Sequence, residues 1–457
     1  MRRSRRFLLF SLVLGSVIAA IPTPAPALSA PRTLAAGRDL GTVKGPGPIV
    51  DPAFPIDYLG ISWRSGGEPR VRFRIASGWT TWTRVHEDEL PSRGGRTWST
   101  LIPAFDADAY QVRGDARSVE GHAINTTDGP RSFSWQQPAA EASHLPQPAL
   151  ISRSAWGADE SYRFDAQGNE IWPPAFYATR KLIVHHTATA NGDPDPAATV
   201  RAIYRYHAVD RGYGDIGYNF LIDAQGRVYK GRYSGPAGTV DQDTLTGENP
   251  EGLGVTAAHT GGWNSGTMGI AVLGDYRTAS VPFAARQTLV DHLAWESERH
   301  GLDPTATSTF TNPVSGEQKT APNISGHRDW TATECPGGTF YDQLPQVRQE
   351  VAAKLAGSTP PPDAQAPAIS GVTASGVGST WATIRWSTDE PSDSRVEYWV
   401  AGSPAHDFTP LDTTMVTSHS ITLNGLKSRT KYQYRVRSAD AAGNAATSSV
   451  FAFRTKR

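Results

Sequence analysis

A single cysteine, Cys335, in a chain of 457 residues sets the first constraint on this sequence. Without a second thiol there is no internal disulfide, so packing must hold the fold together. Apolar residues make up 38% and charged residues 19%, which is enough for packed cores and argues against global disorder. The length suits roughly three domains. The 44 basic and 44 acidic residues cancel, which argues against nucleic acid or an anionic membrane held by bulk charge.

The chain opens like an exported one. Basic Met1–Arg6 precedes the apolar run Phe7–Ile21, and small residues and prolines follow as far as Ala30. Residues 1–30 therefore predict an export signal, by the general or the twin-arginine route, and a secreted protein. The apolar run is 15 residues, short for a membrane span, and no later stretch is long enough to cross a bilayer. Outside the cell a lone thiol is an oxidation liability. Cys335 is thus either a buried apolar residue or a thiolate held by something that needs one.

Residues 31–52, rich in Pro, Gly and Ala, read as a linker. Over 53–137, strand-like runs (Tyr58–Trp63, Val71–Ile75, Trp79–Val85, Tyr110–Val112) are separated by Gly, Pro and Ser, which predicts a small all-β domain. Trp63, Trp79, Trp82 and Trp98 suit core and cross-strand packing better than a sugar-stacking platform, because nothing orders them on one face. A second linker covers 138–149.

Residues 150–357 alternate strands with amphipathic helices, predicting an α/β domain. Lys181–His185 is a β-branched strand. Asp195-Pro196 opens a helix carrying Val200, Ile203, Tyr204 and His207 at helical spacing. A hairpin turns across 223–226. Met268–Leu273 is a buried strand, Phe283–Arg299 a second helix, and Val347, Val351 and Leu355 mark a last one. A Pro-rich spacer, 358–367, leads to 368–457, where sandwich-like strands recur. There Trp386 and the run Leu426–Tyr432, which matches a tyrosine corner, resemble a fibronectin type III module. That resemblance implies a spacer or adhesion role without catalysis.

Of 12 histidines, seven fall between positions 185 and 327. His185 ends a strand, and His327 and Cys335 flank a turn-rich loop. Catalytic zinc takes three protein ligands and keeps a fourth position open, and imidazole with thiolate suits zinc better than hard cations. By themselves these residues are equally compatible with a metal site and with polar loops.

Four segments go further: Leu182–Thr189 (LIVHHTAT), Asp215–Leu221 (DIGYNFL), Ala258–Gly269 (AHTGGWNSGTMG) and Gly326–Gly337 (GHRDWTATECPG). In this order they resemble the type 2 N-acetylmuramoyl-L-alanine amidases and the peptidoglycan recognition proteins. The resemblance implies a mixed sheet flanked by helices. It also implies one zinc held by His185, His327 and Cys335, with His186 facing the other way by strand alternation. Tyr218 matches the catalytic tyrosine, and Thr333 a position taken by lysine or threonine. His207, Arg211, Tyr213, Arg232, His259 and Asn264 match residues that touch the muramyl peptide or select its third stem residue.

Three of these have plainer readings: His207 as a core histidine beside Val200 and Ile203, Arg211 as a solvated helix-end charge, and Arg232 as an exposed arginine after a strand. Residues 234–254 are longer than the usual link before the AHT segment, and read as a lid or an insertion. Asp241, Asp243 and Glu248 within them fit no calcium-loop spacing. The implied function is a secreted or wall-associated zinc amidase acting on peptidoglycan. The alternatives are a non-catalytic wall-binding protein and a zinc hydrolase of some other amide, although no HExxH helix is present.

Overall fold

A computed structural model describes residues 33–88, 95–131, 133, 145–357, 365–440 and 443–457. The export-signal segment, most of 138–149 and most of the Pro-rich spacer lie outside the described residues. The chain builds an α/β domain between two all-β domains. No helix among the described residues is long and apolar enough to cross a membrane.

The spine of the first domain is the strand Ala109–Asn125, which pairs antiparallel with Leu34–Val50, Ile56–Trp63 and Arg70–Ile75. The first partner corrects the linker reading of 31–52. Leu34–Val50 is an edge strand in which only Val43 is buried. Gly41 and the run Pro46–Pro48 sit at register shifts, between Asp39 and Gly41, Gly41 and Val43, and Pro46 and Ile49. Bulges on an edge tolerate such residues, and they hide the alternation that would mark a strand. The four tryptophans divide. Trp63 and Trp98 are buried, whereas Trp79 and Trp82 are half-buried and clamp the Arg72 guanidinium at 4.5 and 4.7 Å from their ring centroids.

In the middle domain the sheet order is Leu150–Ile151, Val228–Lys230, Phe220–Ile222, Thr267–Val272, Lys181–His186, Ile324–Gly326. All neighbours are parallel except the hairpin of Phe220–Ile222 with Val228–Lys230. Lys181–His186 is buried along its whole length, as a strand covered on both faces must be. The helices Phe283–His300 and Gly338–Leu355 cover one face through Leu289, Leu293, Val347 and Val351. Pro196–Arg205, capped by Asp195 accepting from the Ala198 N–H at 3.2 Å, covers the other.

That second face is shared. Tyr58, Trp98, Leu101 and Ile124 of the first domain join Val200, Ile203 and Tyr206 in one apolar cluster. Tyr206 donates its hydroxyl to the Ser99 carbonyl at 2.8 Å. Its ring lies against Gly60, where an added Cβ would sit 2.2 Å from Tyr206 Cε2. Arg201 reaches across to the Thr126 carbonyl with Nε and Nη2, at 3.1 and 2.8 Å.

The last domain is a seven-stranded sandwich with its own core around Ile384, Trp386, Val396 and Tyr434. The Lys427 N–H donates to the Tyr432 hydroxyl at 2.9 Å, as the tyrosine corner predicts. Trp386 stacks on His419 with ring centroids 4.7 Å apart.

Candidate metal centre and cleft

Strand register assembles the centre. Val184 pairs with Gly326 in the parallel ladder, so the next residues, His185 and His327, leave the sheet side by side at its carboxyl end. Ligand sites of open α/β sheets lie at that end. Cys335 closes the loop that His327 opens. Three contacts hold this loop: the Arg328 N–H on the Cys335 carbonyl at 3.0 Å, the Gly326 N–H on Asp329 Oδ2 at 2.8 Å, and the Cys335 N–H on Thr333 Oγ1 at 2.9 Å.

One donor atom from each of His185, His327 and Cys335 lies within 4.8 Å of the other two. Cys335 Sγ is 3.6 Å from His185 Nδ1. A zinc ion with ordinary Zn–S and Zn–N bonds at a tetrahedral angle would set these atoms roughly 3.5 Å apart. All three residues are buried, and His327 Nε2 has no hydrogen-bond partner. A buried polar atom left in that state is costly, and an ion facing it removes the cost. Burial pushes the His185 imidazole well below its ordinary pKa and takes His327 down to about 3. Both rings are thus neutral, the form that binds a metal. The residues present fit the ion.

His186 points away as strand alternation requires. Its ring Nδ1 accepts from the Tyr276 N–H at 3.2 Å, and its own N–H donates to Cys335 Sγ at 3.4 Å. The far nitrogen of His185, Nε2, lies 3.1 Å from His259 Nδ1. With Nδ1 turned to an ion, Nε2 carries the proton and donates to His259. Such a partner fixes the tautomer and ring angle of a metal-binding histidine. His259 is 0% exposed and fits only because position 269 is glycine: a Cβ there would lie 2.3 Å from His259 Cγ.

Above the ligands opens a cleft of about 630 Å³. His327, Cys335, Tyr218 and Thr333 line it from the α/β domain, and Arg84, His86 and Asp88 line it from the first β domain. The Tyr218 ring centroid is 5.5 Å from that of His185. Arg277 reaches across with Nη1, 2.7 Å from His86 Nδ1.

None of the six residues expected to touch substrate lines this cleft. His207 is buried and accepts the Gly217 N–H on Nδ1 at 3.1 Å. Arg211 is buried against Asp88 of the first domain, and Tyr213 is buried beside it. Arg232 is neither exposed nor aimed at a ligand. It pairs with Asp215 at 2.7 Å, donates to the Trp172 carbonyl at 2.7 Å and stacks on the Trp172 ring. His259 stands behind His185. Asn264 is half-buried and accepts the Thr260 N–H at 2.7 Å, which shapes the loop. In this structure these side chains serve the packing and the loops around the cleft, and none of them faces it.

Two groups escaped the sequence reading. Arg84, His86 and Asp88 carry no local pattern and matter only because their domain docks here. Asp215, inside the DIGYNFL segment, accepts from Arg153 at 2.9 Å and Arg232 at 2.7 Å while 0% exposed. An acidic residue in a run otherwise bound for the interior was the available signal.

The family model described as N-acetylmuramoyl-L-alanine amidase matches residues 175–338. Peptidoglycan-recognition protein SC2 of Drosophila melanogaster is 30% identical over 198 residues, covering 43% of this chain and 84% of its own length. The chain belongs to the N-acetylmuramoyl-L-alanine amidase family. Within the amidase family, peptidoglycan-recognition protein LB of Drosophila melanogaster is 28% identical over 198 residues, 43% of this chain and 67% of its own. The human N-acetylmuramoyl-L-alanine amidase is 26% identical over 341 residues, 73% of this chain, and this chain spans only 45% of it. The model described as the N-terminal domain of purple acid phosphatase matches 369–455, in keeping with the fibronectin-like sandwich of this amidase-family chain.

Proposed function

We propose that the chain is a secreted, zinc-dependent N-acetylmuramoyl-L-alanine amidase, which hydrolyses the amide between N-acetylmuramic acid and L-alanine in peptidoglycan. The observation that carries this reading is the buried His185–His327–Cys335 set, with the His327 nitrogen lacking any other partner. A zinc ion held there supplies Lewis-acid polarisation of the amide carbonyl and activation of water. Cys335, His185 and His327 hold it, and His259 orients His185. Tyr218, in the cleft beside His185, donates a hydrogen bond to the carbonyl oxygen as negative charge develops on it, or relays a proton to the leaving amine. Thr333 accepts the Cys335 N–H and so positions the thiolate rather than moving a proton. Residues 1–30 supply the export that such a substrate demands.

The test is release of stem peptides from purified sacculi, followed by mass spectrometry. Wild type carries one ion at the cleft and releases peptides with a free L-alanine amine. Cys335→Ala is expected to lose at least ~1,000-fold of that activity, on the order of removing a catalytic metal's role in amide hydrolysis. Undiminished release by the variant would refute the assignment. Wild type that binds sacculi without turnover would make the chain a recognition protein.

A further inference from the structure

A second buried cluster lies outside the cleft. His292, Glu296 and His300 recur every fourth residue of the helix Phe283–His300 and therefore share one face. Glu248, from the long 234–254 segment, meets them. Glu296 and His292 are 0% exposed and Glu248 is 2% exposed. One donor atom from each of Glu248, Glu296 and His300 lies within 4.8 Å of the others. His300 Nε2 is 3.1 Å from Glu248 Oε1 and 3.2 Å from Glu296 Oε2. His292 Nε2 is 3.6 Å from Glu296 Oε1.

These atoms are close, yet none of the contacts is an aligned hydrogen bond. His300 Nε2, both carboxylate oxygens of Glu296 and both ring nitrogens of His292 lack a hydrogen-bond partner. Arg299 donates to the other oxygen of Glu248. That leaves Glu296 buried without an aligned donor, an expensive state unless a cation faces it. Ligand atoms 3.1 to 3.2 Å apart match the roughly 3.3 Å separation expected around a tetrahedral ion with bonds of about 2.0 Å.

We propose that Glu248, Glu296 and His300 bind a second divalent ion, separate from the cleft, with His292 placed against the remaining oxygen of Glu296. Two carboxylates and an imidazole select a transition ion such as zinc rather than calcium, which takes oxygen ligands. None of these residues lines the cleft, so the site is structural. It bolts the 234–254 segment to the helix, where the sequence alone offered a lid or a bare insertion.

Cobalt(II) separates the two sites, because only the Cys335 site gives a sulfur-to-metal charge-transfer band. Full-length wild-type protein, stripped with chelator and titrated with cobalt(II), is expected to bind two equivalents, one with that band and one without. Glu296→Gln and Glu248→Gln should each bind one equivalent and keep the band. Zinc should raise the Tm of wild type more than that of either variant. The proposal is overturned if folded wild type binds a single equivalent that carries the band, which would leave the cluster a protonated Glu–His–Glu network. It is equally overturned if both variants still bind two. Loss of the band with retention of the other equivalent would instead count against the cleft site and support this one.

Discussion

At the residue scale, Asp215 and His259 carry the most weight per atom. Burial alone would raise the Asp215 carboxyl, but Arg153 and Arg232 outweigh it and bring it from 3.8 to about 2. A depressed folded-state pKa contributes stability that is present above about pH 4 and lost as pH falls towards 2. The contribution is about 2 kcal/mol, and chemical denaturation at pH 5 and pH 2.5 should show it. Asp215→Asn abolishes that loss and leaves two buried guanidiniums short of a counter-charge, at a cost of about 3–5 kcal/mol. His259→Ala leaves all three proposed ligands in place, so the protein should still load zinc, but with affinity about 10–100-fold lower in a competitive chelator titration. Unchanged affinity would show that His259 only fills space.

At the element scale, the strand Lys181–His186 and its partner Ile324–Gly326 deliver the ligands. The first was legible as a β-branched run ending in histidine; of the second only the GHRD segment that follows it was, because three residues, Ile324–Gly326, are too few to show a strand's alternation. The strand Leu34–Val50 was not legible. Its evidence is a partner far away in sequence, Asn125 opposite Leu34 and Tyr110 opposite Val50, and its own pattern is broken by bulges. The same limit applies to the expected groove contacts. Sequence motifs place Arg232 and His207 near a site, but only packing shows that Asp215 and the Gly217 N–H already occupy them. The helix end at Tyr206 makes a sharper prediction. Tyr206→Phe forfeits one hydrogen bond to Ser99 and about 1 kcal/mol. Tyr206→Ala empties the interface beside Gly60 and costs about 3–5 kcal/mol. Urea unfolding of the two variants distinguishes these outcomes.

At the scale of the whole molecule, the first two domains share one apolar cluster while the last keeps its own. Calorimetry should therefore show two unfolding transitions, with the β domain and the α/β domain melting together and the sandwich apart. A single transition, or three, would contradict this reading of the cores. The cleft wall formed by Arg84, His86 and Asp88 has one more consequence. The family segment 175–338 is what a protein engineer would naturally transplant to make a hybrid lytic protein. Moved alone, it would arrive with a greasy flank bare to water and its cleft missing a side. The smallest transferable unit in this chain is a pair of domains, and any library of chimaeras should cut on the outer side of both.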